Sequence, residues 1–502
     1  MKRYLYYMIP VLFILVSCNN FLDKAPDNRL RLNDLDKIAE LVTNAYPSGS
    51  TVFMEWMTDN VGADPKNVQR RDMTQAFHWE TIEGEGQDTP TGFWSSAYTA
   101  IAHANEALAA LEEIKTTDIT RKNAIRAEAL ACRAYAHFML VNLFAKQYDK
   151  NTAAQDPGIV IMDDPETKLL VTYERSNVKE VYDFIEKDLL EALDKISDNY
   201  YKNSGKYHFT RNALLALATR FYLFKNEFKA CIRYATELLG ENYNSRFIRN
   251  YSEIYTGTNA EMMARKFTTP VLDANLLLIR KEVLYGYMGY AGYRFTEEVF
   301  KQLVLTEQDS RFTVTYNYGG SASFLPKFER ELMRKLSLTS SSGYPYTIEI
   351  SFRAEEVFFN RLEAWWNEKE TDLIRQHLNE YIKTIYGQRI TLDIIESTYA
   401  RSYPGVNRDD LLLLIILDEK RREFVEEGIR WFDIKRHRIS IMHTDINGDR
   451  DILSADDPRK VLQIPTTAQE FGGLKPNIRQ ADNAPVSRQA QYPGFEHLRN
   501  EY

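Results

Sequence analysis

Cysteine is nearly missing from this chain: three in 502 residues, too few for a disulfide scaffold. Backbone punctuation is thin as well. Glycine (22) and proline (16) make up about 8% of the residues, against roughly 12% in average usage. A many-stranded sandwich or barrel needs more turns than that, so the composition leans helical. Positive charge is not in excess: 63 Lys and Arg face 71 Asp and Glu, a net charge of −8 with pI near 5.7, which argues against a nucleic-acid binder and its basic stripe. Beyond the N-terminus no apolar run approaches the roughly 20 residues that span a bilayer; Leu411 to Leu417 is only seven residues long. The catalytic signatures Gly-x-Ser-x-Gly, His-Glu-x-x-His and the Gly-rich phosphate loop with Lys are absent too. What is present is apolar mass: 44% hydrophobic residues exclude a disordered chain and supply a large core.

The first residues address the compartment. Lys2 and Arg3 are followed by Tyr4 to Val16 without a charge, too short to span a bilayer and patterned as a secretory signal. The run ends in Leu15, Val16, Ser17 and Cys18. This is similar to a bacterial lipobox, in which the Cys becomes the acylated first residue. Two or more acyl chains give stable anchoring. Residues 1–17 therefore read as a lipoprotein signal peptide and 18–28 as a polar tether. The competing reading is an ordinary secreted protein with an incidental Cys18. The anionic chain is not drawn to acidic lipid headgroups, so the lipid does the attaching.

Helical spacing dominates the mature chain. Trp94, Tyr98, Ile101, Asn105 and Leu108 share one face, continued by Leu111. An Ala-rich helix is expected over 127–144 and an amphipathic one over 178–196. Helices 212–223 and 228–239 form a tight hairpin around Lys225, Asn226 and Glu227, with Cys231 and Ala235 at small positions facing Tyr222, as in a tetratricopeptide unit. A further pair is expected at 353–366 and 373–385, then one long helix or two abutting ones over 409–436. Residues 47–92, 240–350 and 440–502 are long irregular stretches, which in a compact protein are functional or carry structure of their own.

Several side-chain groups invite chemistry. Tyr285, Tyr287, Tyr290, Tyr293 and Arg294 are interleaved with glycines at 286, 289 and 292. Tyrosine rings stack on sugar faces while their hydroxyls hydrogen-bond, which suits a concave ligand site; a Tyr-rich loop packed on the scaffold is the alternative. Asp445, Asn447, Asp449, Asp451 and Asp456 stand at positions 1, 3, 5, 7 and 12 of a calcium loop, but the Gly falls at position 4 and position 12 is Asp, so a plain Asx-rich turn competes. Glu83 and Glu85 could form a glycosidase pair, a weak signal among 71 acids. Cys132 and Cys231 read as buried small hydrophobes, with a disulfide as the alternative. In the charge-rich 418–437 segment, Asp418 with Arg422, Glu426 with Arg430 and Asp433 with His437 fit i,i+4 helical pairs.

The order of these blocks resembles the SusD/RagB family, the surface nutrient-binding lipoproteins of Bacteroidetes outer membranes. Cys18-Asn19-Asn20-Phe21-Leu22-Asp23 resembles the family's start, and Trp94, Tyr98, Ile101 and Asn105 its first long helix. Arg353-Ala354-Glu355-Glu356-Val357 through Glu363-Ala364, then Leu378-Asn379 and Tyr386-Gly387, are similar to a later pair. Glu419-Lys420-Arg421-Arg422-Glu423-Phe424 to Glu427-Gly428, Arg430-Trp431-Phe432-Asp433 is the most specific match. Leu462-Gln463-Ile464-Pro465 with Lys475-Pro476-Asn477 resembles the closing segment, with Gln463 where the family has Pro. The resemblance implies a mainly α fold: a right-handed superhelix of four tetratricopeptide-like pairs over about 29–46, 92–240 and 351–440, with variable ligand-binding loops over about 47–92 and 240–350, all in one domain spanning 29–502. It also places Trp79, Asp64, Arg70 and Arg71 in a loop region used for binding, with a place in the core as the alternative for Trp79. It implies a lipid-anchored outer-membrane protein facing the cell exterior that captures a glycan, or in some members a peptide, as the lid of a TonB-dependent transporter barrel. It implies neither catalysis nor a required cofactor; a surface glycosidase is the remote alternative.

Overall fold

The structure is a computed structural model that describes residues 32–479, apart from 67–69, 167–170, 202–203, 258, 285–291, 318–322, 330–331, 336, 338 and 341. The signal peptide, the tether with Cys18, and Tyr285, Tyr287 and Tyr290 lie outside the described residues.

The fold is mainly helical. Helix Pro90–Glu113 starts where Thr89 caps Gly92 and Pro90 takes the first turn, and it packs on Ile119–Phe144. That second helix is buried along almost its whole length because Val178–Lys195 covers another face, itself begun by a capping box of Asn177 and Glu180. Arg211–Phe224 pairs with Phe228–Leu239, and Ala354–Asn367 with Thr371–Tyr386. These two hairpins turn in the same way. Asn226 and Lys369 sit in the left-handed region at φ 61° and 64°, with the paired return bonds of a Schellman motif at each. Each second helix then ends on a positive-φ glycine, Gly240 or Gly387. Leu392–Ser402, which periodicity does not reveal, packs on Arg408–Glu423. One apolar core runs from Leu35 to Leu474 and takes in most of these helices; a small satellite forms around Phe295, Phe312 and Val425.

Of the two expectations for 409–436, one long helix or two abutting ones, the structure has two helices, Arg408–Glu423 and Arg430–Arg436, separated by positive φ at Glu426 and Gly428. The break ends the helical register between Glu426 and Arg430, and the residues expected in i,i+4 pairs have other partners. Asp418 accepts the Tyr399 hydroxyl (2.7 Å), Arg422 turns to Glu419 (3.0 Å), Arg430 to Asp59 (3.0 Å), and Asp433 accepts from Lys420 (2.9 Å). The segment is buried rather than a solvated face. Its acids meet cations from distant strands and loops: Arg353 reaches Glu423 and Glu427, Lys327 reaches Glu427, and Arg311 lies between Asp309 and Glu419. Losing one partner of such a pair strands a buried charge, at a cost of about 3–5 kcal/mol.

The 240–350 stretch holds most of the sheet structure. Among the described residues the strands are β1 (Gly62–Ala63), β2 (Asn275–Glu282), β3 (Tyr293–Arg294), β4 (Tyr316–Asn317), β5 (Ser323–Phe324), β6 (Met333–Lys335), β7 (Gly343–Arg353), β8 (Ile441–Thr444) and β9 (Arg450–Leu453). β7 lies between β2 and β6 in an antiparallel sheet, with Leu278 opposite Ile350, and runs straight into helix Ala354–Asn367. Cys132 and Cys231 are separate buried free thiols; the disulfide alternative is not realised.

Candidate functional site

Two segments distant in sequence meet at one edge. Gly62 and Ala63 of β1 pair antiparallel with Arg294 and Tyr293 of β3, and the Asp64 amide donates to Gly292 O at 2.7 Å. Arg294 and Asp64 then form a buried ion pair at 3.0 Å. At the other end, the Leu284 amide donates to Asp88 Oδ2 at 2.9 Å. Both roots of segment 285–291 are therefore tied to the N-terminal part of the chain.

Beneath this edge lies a stack of four rings. Tyr293 stacks on Phe77 (4.3 Å), Phe77 on His443 (4.1 Å) and His443 on Trp79 (4.3 Å), with interplanar angles of 25°, 17° and 25°. His443 sits with one ring nitrogen 2.6 Å from Phe77 O and the other 2.8 Å from Thr58 O. Burial pushes its pKa below the ordinary value, and the two carbonyls, each able to accept from a ring N–H, oppose that shift. Trp79 follows helix Arg71–Phe77 at φ 54°, with its amide on Ala76 O and the Glu80 amide on Gln75 O. This is a Schellman turn with tryptophan where glycine is usual. The strain, about 1–2 kcal/mol, is offset by a fully buried indole whose Nε1–H donates to Met57 O at 2.8 Å.

These contacts correct part of the sequence reading. Trp79, Asp64, Tyr293 and Arg294 are not an exposed ligand face but the buried base of the edge. Tyr293 donates its hydroxyl to Thr74 Oγ1 at 3.1 Å. Arg70 and Arg71 are exposed at the start of the short helix, and Arg71 pairs with Glu83.

The acidic loop joins β8 to β9 beside the stack. Asp445 Oδ1 accepts from the amides of Asn447 and Asp449, both at 2.8 Å, and Gly448 takes φ 87°. Asp451 instead holds His78 at 2.9 Å, and Asp456 pairs with Arg438. Asn447 Nδ2 also donates to Asp445 Oδ2 at 3.1 Å, so the loop has the hydrogen bonds of an Asx turn, with Asp451 and Asp456 turned to other partners. The Asp451 hydrogen bond raises the His78 pKa, with burial opposing. Among the described residues, Glu363, Asp433 and His437 could hold a metal ion. Arg436 already bridges both acids (2.7 and 2.9 Å) and supplies the positive charge there.

Sequence reasoning misses a pocket. On the exposed side of helix Pro90–Glu113, Trp94 and Tyr98 line a depression of about 460 Å³ with Met162, Tyr173, Phe471 and Leu474, within the size range of small-ligand sites. Tyr98 donates to Val160 O (3.0 Å), and Asn105 to Met162 O and Asp164 O (3.1 Å each), which fastens one wall to the helix. Phe471, 79% exposed, is the residue that stands out.

Two family models match the chain. One, described as starch-binding associating with outer membrane, matches residues 20–223; the other, described as SusD family, matches residues 282–495. SusD-like protein P2 of Formosa agariphila is 23% identical over 88% of this chain and 91% of its own length. A SusD superfamily protein of Bacteroides thetaiotaomicron superposes with a TM-score of 0.66 at 20% identity, covering 89% of this chain and 100% of its own. A laminarin-binding SusD-like protein superposes with a TM-score of 0.61 at 16% identity, covering 89% and 99%.

Proposed function

The chain belongs to the SusD/RagB family, and on that premise we propose that it is a cell-surface lipoprotein that binds a saccharide without turning it over and delivers it to a TonB-dependent outer-membrane transporter. The observation that carries this reading is the tying of both roots of segment 285–291, at Leu284 and Gly292, onto a rigid base of stacked rings. The roots hold the two ends of a tyrosine-bearing stretch of sequence at this edge, and tyrosine rings are suited to sugar faces. The laminarin-binding neighbour supports a glycan over a peptide.

Membrane attachment through acylated Cys18 is part of the same proposal. No helix among the described residues is long and apolar enough to cross a membrane, so attachment by the lipid is consistent with the rest of the chain.

The test is affinity electrophoresis of the full mature chain against neutral and acidic polysaccharides and peptides, with reducing sugar assayed in parallel. Retardation by at least one polysaccharide with no released sugar is the expected result. Released sugar would replace the binding reading with a glycosidase, and binding of peptides alone would replace the saccharide.

A further inference from the structure

A groove of about 1040 Å³ runs between the C-terminal end of helix Ile119–Phe144, the strand-like stretch around Arg175 and the C-terminal segment 455–478. Three of its cations are buried or half-buried and have an unusual set of partners. Lys435 donates to Asn142 O and Ala145 O at the helix end, and Lys460 to Ile439 O (2.9 Å) and Ala455 O (2.7 Å). Arg175 donates to Gly158 O (2.7 Å), Lys475 O (3.1 Å), Pro157 O (3.3 Å) and Phe144 O (3.5 Å). Every one of these acceptors is a backbone carbonyl.

Carbonyls satisfy hydrogen bonds but do not neutralise charge. Each ammonium also has three protons, of which two are used here. Of the groove's carboxylates, Asp156 is bound to Lys146 and Thr152, Asp457 to Arg459, Asp456 to Arg438, and Asp149 accepts the Asn151 amide, while Glu174 is exposed. One lysine at a helix C-terminus is an ordinary cap, favoured by the helix dipole. Two lysines and an arginine lining one groove, with only carbonyls for partners, exceed what capping requires. Burial pulls both lysines down to about 7, reinforced at Lys435 by the charge of Lys460 and opposed at Lys460 by Asp457 and Asp456; an anion entering the groove would relieve that penalty.

We propose that this groove is a second binding site, distinct from the tyrosine-bearing edge, that takes an oxyanion carried by a saccharide: a uronate carboxylate or a sulfate ester, held by the remaining protons of Lys435 and Lys460 with Arg175 balancing its charge. The aromatic pocket beside Trp94 and Tyr98 shares Tyr173 and Leu474 with the groove, so neighbouring sugar rings have an apolar wall next to the anion. That a saccharide carries the anion rests on the function proposed above.

Calorimetry on the full mature chain at pH 6.5 tests this with three probes: a galacturonate oligosaccharide, a neutral galactose oligosaccharide of equal length, and inorganic sulfate. The acidic oligosaccharide should bind about tenfold tighter than the neutral one, the scale of one charge-assisted hydrogen bond. Lys460→Gln and Arg175→Gln should each shrink that preference severalfold while leaving the neutral sugar's affinity in place. Raising the pH to 8.5 should shrink it in the unaltered protein, which keeps the proposal testable if a variant fails to fold. Equal affinity for the two oligosaccharides, or a preference that survives both substitutions and the pH change, would overturn the inference and leave the proposed function intact. Binding of sulfate with no gain for the acidic sugar would also overturn it.

Discussion

The indole of Trp79 and the imidazole of His443 stack at 4.3 Å with both rings buried, so two segments far apart in sequence share one packing unit beneath the β1–β3 edge. Tryptophan in a polar stretch suggests a sugar platform, but this ring faces protein on every side. Trp79→Ala should cost about 3–5 kcal/mol, as large-to-small core changes do, read as a fall in the midpoint of urea denaturation. A Trp79→Ala protein of unchanged stability and weakened ligand affinity would return the residue to the ligand face.

His78 and Asp451 tie the end of the short helix to β9 at 2.9 Å. The hydrogen bond to Asp451 raises the folded-state pKa of His78 above its ordinary value of 6.5. The contribution to stability is therefore complete below that unfolded value and is lost as the pH rises through the folded one. Asp451→Asn should destabilise the protein at pH 5.5, and the difference from the unaltered chain should narrow by pH 8.5. A difference independent of pH would mean that the pair does not titrate with folding.

The helices are legible where a face can be read from local spacing. The hairpin turn at Lys225, Asn226 and Glu227 and the helix Val178–Lys195 follow from amphipathic periods, which depend on the nearest dozen residues. The sheet is not, because buried β2 shows a continuous apolar run, Leu276 to Ile279, instead of an alternation. At the candidate site, sequence points to two segments that the fold brings together, without the roles of their residues. The burial of Asp64, Trp79, Tyr293 and Arg294 comes from contacts with partners far away along the chain, and no local pattern carries that. The groove cations are invisible for the same reason: Lys435 and Lys460 are ordinary lysines until the fold brings backbone carbonyls to them.

The proposed anchoring depends on Cys18. Cys18→Ala should leave the chain unacylated, and cell fractionation should find it soluble or uncleaved in the envelope. Fractionation of the Cys18→Ala protein with the outer membrane in high salt would contradict attachment by a lipid.

The most direct measurement is saccharide affinity after removal of two rings from the tied segment. Tyr287→Ala with Tyr290→Ala should remove stacking of about 0.5–1.5 kcal/mol per ring, roughly a two- to twelvefold loss for each, measured by calorimetry with whichever polysaccharide retards the protein most. The melting temperature should barely change, in contrast to Trp79→Ala. An unchanged affinity together with a large drop in melting temperature would contradict the account: the tyrosines would then be packing, and the ligand would bind elsewhere.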